Sequence, residues 1–150
     1  MRGRKIVLRG LAFAFAAAAA VGGAKAGTAS IEGIWQNRNA TLEVQIVPCG
    51  RHYCGIVVGA RGEAIADARL RGTPRLVGTE VLKDYAPAAD GIWRGNVFVP
   101  ELGRHLSSKI HFVDADTVQL SACALGGLVC KTKVWHRLAP PHGLTLARGR

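Results

Sequence analysis

Between Gly91 and Lys109 the chain reads G-I-W-R-G-N-V-F-V-P-E-L-G-R-H-L-S-S-K. Trp93, Gly95, Val97 and Val99 share one parity; Ile92, Arg94, Asn96 and Phe98 share the other. A period of two over this length predicts a half-buried strand, because successive side chains in a strand point to opposite faces. Pro100-Glu101-Leu102-Gly103 then interrupts the pattern. Proline fixes φ and lacks a donor, and glycine admits positive φ, so the four residues predict a tight reversal. A second alternating run, Leu106 to Val113, completes an antiparallel hairpin.

The same alternation recurs on both sides of this hairpin. Ile31 to Gln36 predicts a short first strand. Leu42, Val44 and Ile46 alternate with Glu43, Gln45 and Val47 in a second. Pro48 and a Cys-bracketed turn reverse the chain, and Tyr53 to Val58 returns. Gly59 to Thr73 carries Arg61, Glu63, Asp67, Arg69 and Arg71 around Ala64-Ile65-Ala66, and predicts an excursion with at most one helical turn. Leu76 to Leu82 predicts the next strand and Lys83 to Gly91 a loop. After the hairpin come a turn at Asp114-Ala115-Asp116, a strand over Thr117 to Cys123, a second Cys-bracketed turn and a last strand over Lys131 to Leu138. About eight strands in meander order, with turns every ~8–12 residues, predict an antiparallel up-and-down barrel or a sandwich.

Residues 1–26 follow a different pattern. Arg2, Arg4, Lys5 and Arg9 form a basic start, Leu11 to Val21 is apolar and Ala-rich, and Ala24-Lys25-Ala26 is a small-x-small cleavage site. This predicts a cleaved signal peptide and a mature chain beginning at Gly27. The apolar run falls short of the roughly 20 residues a spanning helix needs, and no membrane span is expected after cleavage. The expected layout is a signal peptide over 1–26, one β domain over 27–138 and a loose C-terminal tail over 139–150. The expected location is the periplasm or the outside of the cell.

The overall charge of +10 changes meaning once the signal is set aside. Five of the 20 Lys and Arg precede Gly27 and none of the 10 acidic residues does, which leaves +5, two of them Arg148 and Arg150 in the tail. Such a modest surplus suits an anionic envelope partner. Nucleic acid is not expected, since no Lys/Arg cluster interleaves with aromatic residues.

Four cysteines lie in the mature part. Three connectivities are open to them. The local pairing, Cys49 with Cys54 and Cys123 with Cys130, closes the least chain and is favoured. An oxidising compartment favours disulfides over a zinc site built on the first pair and His52, and neither pair has redox C-x-x-C spacing.

Taken in order, Gly33-x-Trp35, Cys54-Gly55, Gly78, Trp93-x-Gly95, Pro100-x-x-Gly103, Cys123 and Trp135-x-Arg137 resemble the exported bacterial proteins grouped as domain of unknown function 2147. The resemblance runs from Ile31 to Leu138. It implies a small eight-stranded antiparallel barrel similar to lipocalins, the calycin type. In such barrels a Gly-x-Trp of the first strand packs under an Arg of the last. Trp35 and Arg137 are the matching residues, and the cation–π contact it implies is structural, worth ~0.5–2 kcal/mol. The chain departs from the family pattern with Val99 before Pro100 where Asp-Pro is frequent, Leu106 where Tyr is frequent, and Leu70-Arg71 where Asn-Pro is frequent. Polar groups that would line a site in relatives are thereby replaced.

Chemistry is sparsely signalled. His52, His105, His111, His136 and His142 form no H-E-x-x-H pair, no G-x-S-x-G occurs, and Ser107 and Ser108 have no base nearby in sequence. Paired carboxylates for a hydrolase would have to come from Glu43, Glu80, Glu101, Asp114 and Asp116, which fall at turns or on polar strand faces. No catalytic residue, metal or cofactor is expected, and an enzyme is the less favoured reading. A barrel of this size is either filled by side chains or holds one small ligand. With Trp93, Gly95 and Val97 facing inward and Tyr53 and Tyr85 near the mouth, the expected ligand is small and hydrophobic, lipidic or aromatic. The alternative is a filled barrel acting in the envelope through its basic surface.

Overall fold

A computed structural model of the protein describes residues 29–138. The signal-peptide expectation over 1–26, the start at Gly27 and the tail over 139–150 with His142, Arg148 and Arg150 lie outside the described residues. Eight strands follow in sequence: β1 (Gly33–Asn37), β2 (Leu42–Cys49), β3 (His52–Ala60), β4 (Glu80–Pro87), β5 (Trp93–Val99), β6 (Arg104–Asp114), β7 (Thr117–Ala124) and β8 (Val129–Arg137). One helix, α1 (Glu63–Leu70), lies between β3 and β4. Each strand pairs antiparallel with the next, and β8 pairs with β1 to close an up-and-down barrel. Closure removes the sheet edges that a sandwich of the same strands would leave open.

The central hairpin forms in the expected register, with Trp93 opposite Ile110 and Val97 opposite Leu106. Pro100–Leu102 makes a short 3₁₀ turn, and Gly103, at φ 61°, sits where a side chain is strained.

Two stretches differ from the sequence reading. The fourth strand begins at Glu80 instead of Leu76, and Lys83–Pro87 is strand instead of loop. Gly78 takes φ 89°, which breaks an extended run, and its N–H and the Thr79 carbonyl bond the backbone of Val57. Leu76 is buried in that turn. Further on, Asp84 takes φ 58° and the register with β5 shifts between Lys83 and Ala86. With a further register shift against β3 at Val81, between the Gly55–Leu82 and Ile56–Glu80 pairs, Val81, Leu82 and Tyr85 are all buried, so no simple alternation marks the strand. The second difference is α1, whose eight residues make more than two turns. Ala68 is its buried contact, and the Ala68 carbonyl accepts from Thr73 N–H at 2.8 Å.

The strand directions define two ends. The β1–β2, β3–β4, β5–β6 and β7–β8 connections lie at one, here called the mouth; the β2–β3, β4–β5 and β6–β7 turns and both ends of the described chain lie at the other, the closed end. β1 meets β8 only over Trp35–Asn37, so Val129–Val134 runs past the end of β1 toward the mouth.

Candidate functional site

The closed end is packed solid. Ile31, Trp35, Tyr85 and Trp93 are all buried there. Trp93 meets Tyr53 edge to face at 5.1 Å, and Trp35 meets Phe112 in the same way at 6.0 Å. The Trp35 indole N–H donates to the Ile31 carbonyl at 2.8 Å. Arg137 lies over the Trp35 ring with its guanidinium carbon 4.2 Å from the centroid. The same guanidinium donates to the carbonyls of Glu32, of Ser30 at 2.8 Å and of Ala115 at 3.2 Å. It thus ties the chain before β1 across the barrel floor.

Tyr85 and Ser108 share a hydrogen bond between their hydroxyls, and burial pushes the Tyr85 phenol up to about 12, with Ser108 acting in the opposite sense. The Tyr53 phenol is also raised, first by desolvation and then by the Glu32 carboxylate, to which it donates at 3.3 Å. At the β4–β5 turn Arg94 forks onto both oxygens of Asp90, at 3.0 and 2.7 Å, and holds that carboxyl well below its usual range.

The mouth half is hollow. A cavity of about 460 Å³ lies above Trp35, between Val44 and Ile46 of β2, Val81 and Leu82 of β4, and Leu120 and Ala122 of β7. Val97, Val99 and Leu106 line it from the central hairpin. Its walls are mostly aliphatic, with the rings of Trp35 and Phe98 added. The polar wall is β8, whose inward parity brings Lys131, Lys133 and Trp135 to the cavity. Neither lysine makes a salt bridge among the described residues. They stand where β8 outruns β1.

Of the five residues expected around a ligand, Val97 lines this cavity and Tyr53, Tyr85, Trp93 and Gly95 do not. Strand direction is the reason. Tyr53 is the second residue of β3 and Tyr85 nears the end of β4, so both sit at the closed end beside Trp93. Gly95 opens no volume for a ligand, because the Tyr85 ring occupies it: a Cβ there would lie 2.6 Å from Tyr85 Cδ2. The lysines, Trp135 and the aliphatic residues of β7 were missed. Their one sequence signal was parity along Lys131, Lys133 and Trp135, which was readable but could not say which parity faced inward.

Of the positions that depart from the expected pattern, Val99 and Leu106 are apolar wall residues of the cavity, while Leu70-Arg71 lies at the end of α1. Both disulfides join the local pairs, Cys49–Cys54 at the closed end and Cys123–Cys130 at the mouth.

Among the described residues the histidines and carboxylates do not converge. His105 packs on Phe98, with ring centroids 5.2 Å apart, and His136 faces Thr117. Glu43 pairs with Arg61 and accepts from Gln36, while Asp114 caps the Asp116 amide. Among the described residues no three His, Cys, Asp or Glu side chains come close enough to hold a metal ion. No described helix is long and apolar enough to cross a membrane.

A closed eight-stranded meander with an apolar cavity open at one end defines a lipocalin-like barrel. Protein HP1028 of the human pathogen Helicobacter pylori, described as belonging to the lipocalin family, has the same fold: it superposes with a TM-score of 0.55 over 73% of this chain and 84% of its own, at 13% identity. Residues 33–137 match the family model described as uncharacterised protein conserved in bacteria, domain of unknown function 2147, and the chain belongs to that family. No curated protein matches it in sequence.

Proposed function

We propose that this protein is an exported carrier that holds a small hydrophobic or lipidic molecule in the mouth half of its barrel. The observation that carries the reading is the aliphatic cavity of about 460 Å³, within the size range of small-molecule pockets. Apolar burial supplies the affinity, at ~25 cal/mol per Å² removed from water. Lys131 and Lys133 on one wall add a polar preference: an acyl body inside, with a carboxylate or other acidic head at the β8 side of the mouth. Export is supported by the signal-peptide pattern of the sequence and by two disulfides, which persist in oxidising compartments.

The test has two steps. Native mass spectrometry before and after organic extraction detects a retained small molecule. Displacement of a fluorescent fatty acid by a long-chain carboxylate, and by the alcohol of equal length, then measures the head preference. K131Q/K133Q is expected to weaken the carboxylate about tenfold and the alcohol hardly at all, ~1.4 kcal/mol of selectivity. A chain that retains no molecule and takes up neither probe refutes the reading.

A further inference from the structure

The mouth carries apolar residues that the barrel does not use. Leu102 in the β5–β6 turn is 54% exposed. Leu125, Leu128 and Val129 in the β7–β8 turn are 71%, 86% and 51% exposed. β6 pairs with β7, so the two turns are neighbours on the rim. Leu102 and Val129 also line the cavity, which makes the exposed patch continuous with its interior.

The shape of the β7–β8 turn adds a second observation. Leu125, Gly126 and Gly127 have φ of 51°, 66° and 97° in succession. Glycine takes this conformation freely, but a leucine there is strained, and such strain gathers at functional positions. The Cys123–Cys130 disulfide closes the base of the turn and holds the two leucines out on a short stapled tip.

Charge is also divided along the barrel axis. The mouth connections hold Arg38, Arg61, Arg69, Arg71 and Arg75 against Glu63 and Asp67; just below them lie Arg104 and Lys131 against Glu80 and Glu43, the latter paired with Arg61. The closed end, counted the same way, holds Arg51, Arg94 and Arg137 against Glu32, Asp90, Asp114 and Asp116, with Arg94 and Arg137 paired to Asp90 and Asp116. Exposed leucines, basic residues and the cavity opening therefore share one end.

We infer that the protein docks mouth-first on an anionic phospholipid bilayer, with the Leu125–Leu128 tip and Leu102 entering the acyl boundary and the arginines meeting the headgroups. An apolar patch rimmed by cations is what such a surface binds, because burial and headgroup attraction act together. In this pose the cavity opens into the lipid. Docking needs no particular cavity ligand, so it stands or falls apart from the carrier reading.

The experiment is vesicle sedimentation of the oxidised chain. Phosphatidylglycerol–phosphatidylethanolamine vesicles are expected to carry the protein down, and phosphatidylcholine vesicles are not. Added salt weakens the binding, as it does for exposed charges. L125N/L128N lowers binding at least about tenfold, R71Q/R104Q lowers it on anionic vesicles, and V113N, at an exposed valine toward the closed end, leaves it unchanged. Circular dichroism of each variant confirms folding, and the arginine pair supplies the test if the leucine variant does not fold. The inference is overturned by equal binding to phosphatidylcholine, by no loss in either variant, or by V113N losing as much. It is also overturned if vesicles are not bound and L125N/L128N instead turns a dimer into a monomer in analytical ultracentrifugation, which would make the patch a contact between two copies of the chain. Vesicle binding by a chain that takes up no fatty acid would refute the carrier reading alone.

Discussion

Replacing Arg137 by Met keeps the apolar stem and removes the guanidinium. That group makes hydrogen bonds to the carbonyls of Ser30, Glu32 and Ala115 and stacks on Trp35. Its ion pair with Asp116 spans 3.5 Å, and the Asp116 side chain is 77% exposed, so that pair contributes almost nothing. Hydrogen bonds from a charged donor are worth ~1.5 kcal/mol each at the low end, and the ring contact ~1 kcal/mol. The contributions are not additive, and water replaces part of what is lost. R137M is therefore expected to cost about 3 kcal/mol, and R137K, which keeps the charge without the fork, about 2 kcal/mol. Urea denaturation of the oxidised chain measures both. Hydrogen exchange should show the loss concentrated at Ile31–Gly33, the segment the guanidinium ties down. A cost below about 1 kcal/mol for R137M, or an equal cost for D116N, would refute the view that backbone tethering and not the ion pair closes the floor.

Three further outcomes are expected. The folded chain keeps the Tyr85 proton to about pH 12, whereas the unfolded phenol releases it near 10, so stability present below pH 10 declines as the pH rises toward 12. The full span is ~3 kcal/mol, and urea midpoints between about pH 9 and about pH 11 should fall for the native sequence and fall clearly less for Y85F, in which only the raised Tyr53 phenol remains. G95A forces a methyl against the Tyr85 ring and the Lys83 carbonyl, and should cost ~1–3 kcal/mol by urea denaturation. A122F places a ring in the cavity and should weaken fatty-acid uptake at least about tenfold, while Y53F leaves uptake unchanged; the reverse pattern would return the ligand to the aromatic residues of the closed end.

Much of the barrel was legible because a strand with one buried face has to alternate. The central hairpin, the reversal at Pro100–Gly103, the local disulfides and the number of strands all follow from spacing along the chain. β4 was misplaced because a left-handed residue at Asp84 breaks the period, and periodicity is blind to a bulge. The length of α1 was missed because Ala68 is its sole buried residue, too little to stamp a helical pattern on the sequence.

The candidate site divides along the same line. Sequence alone determined which residues share a parity, and hence that Lys131, Lys133 and Trp135 face one way. It also determined that the chain can reverse at each turn. Only the tertiary structure decided which parity faces inward on β8, and which end of each strand becomes the mouth. Those choices depend on closure of β8 onto β1, a pairing about a hundred residues apart in sequence. Closure packs Tyr53, Tyr85 and Trp93 together at one end and leaves mostly aliphatic walls, with Phe98, Trp135 and two lysines, around the space at the other. Local spacing fixes the strands because their hydrogen bonds and pleat are local; a cavity is a property of side chains from many strands, and exists only once the sheet has closed on itself.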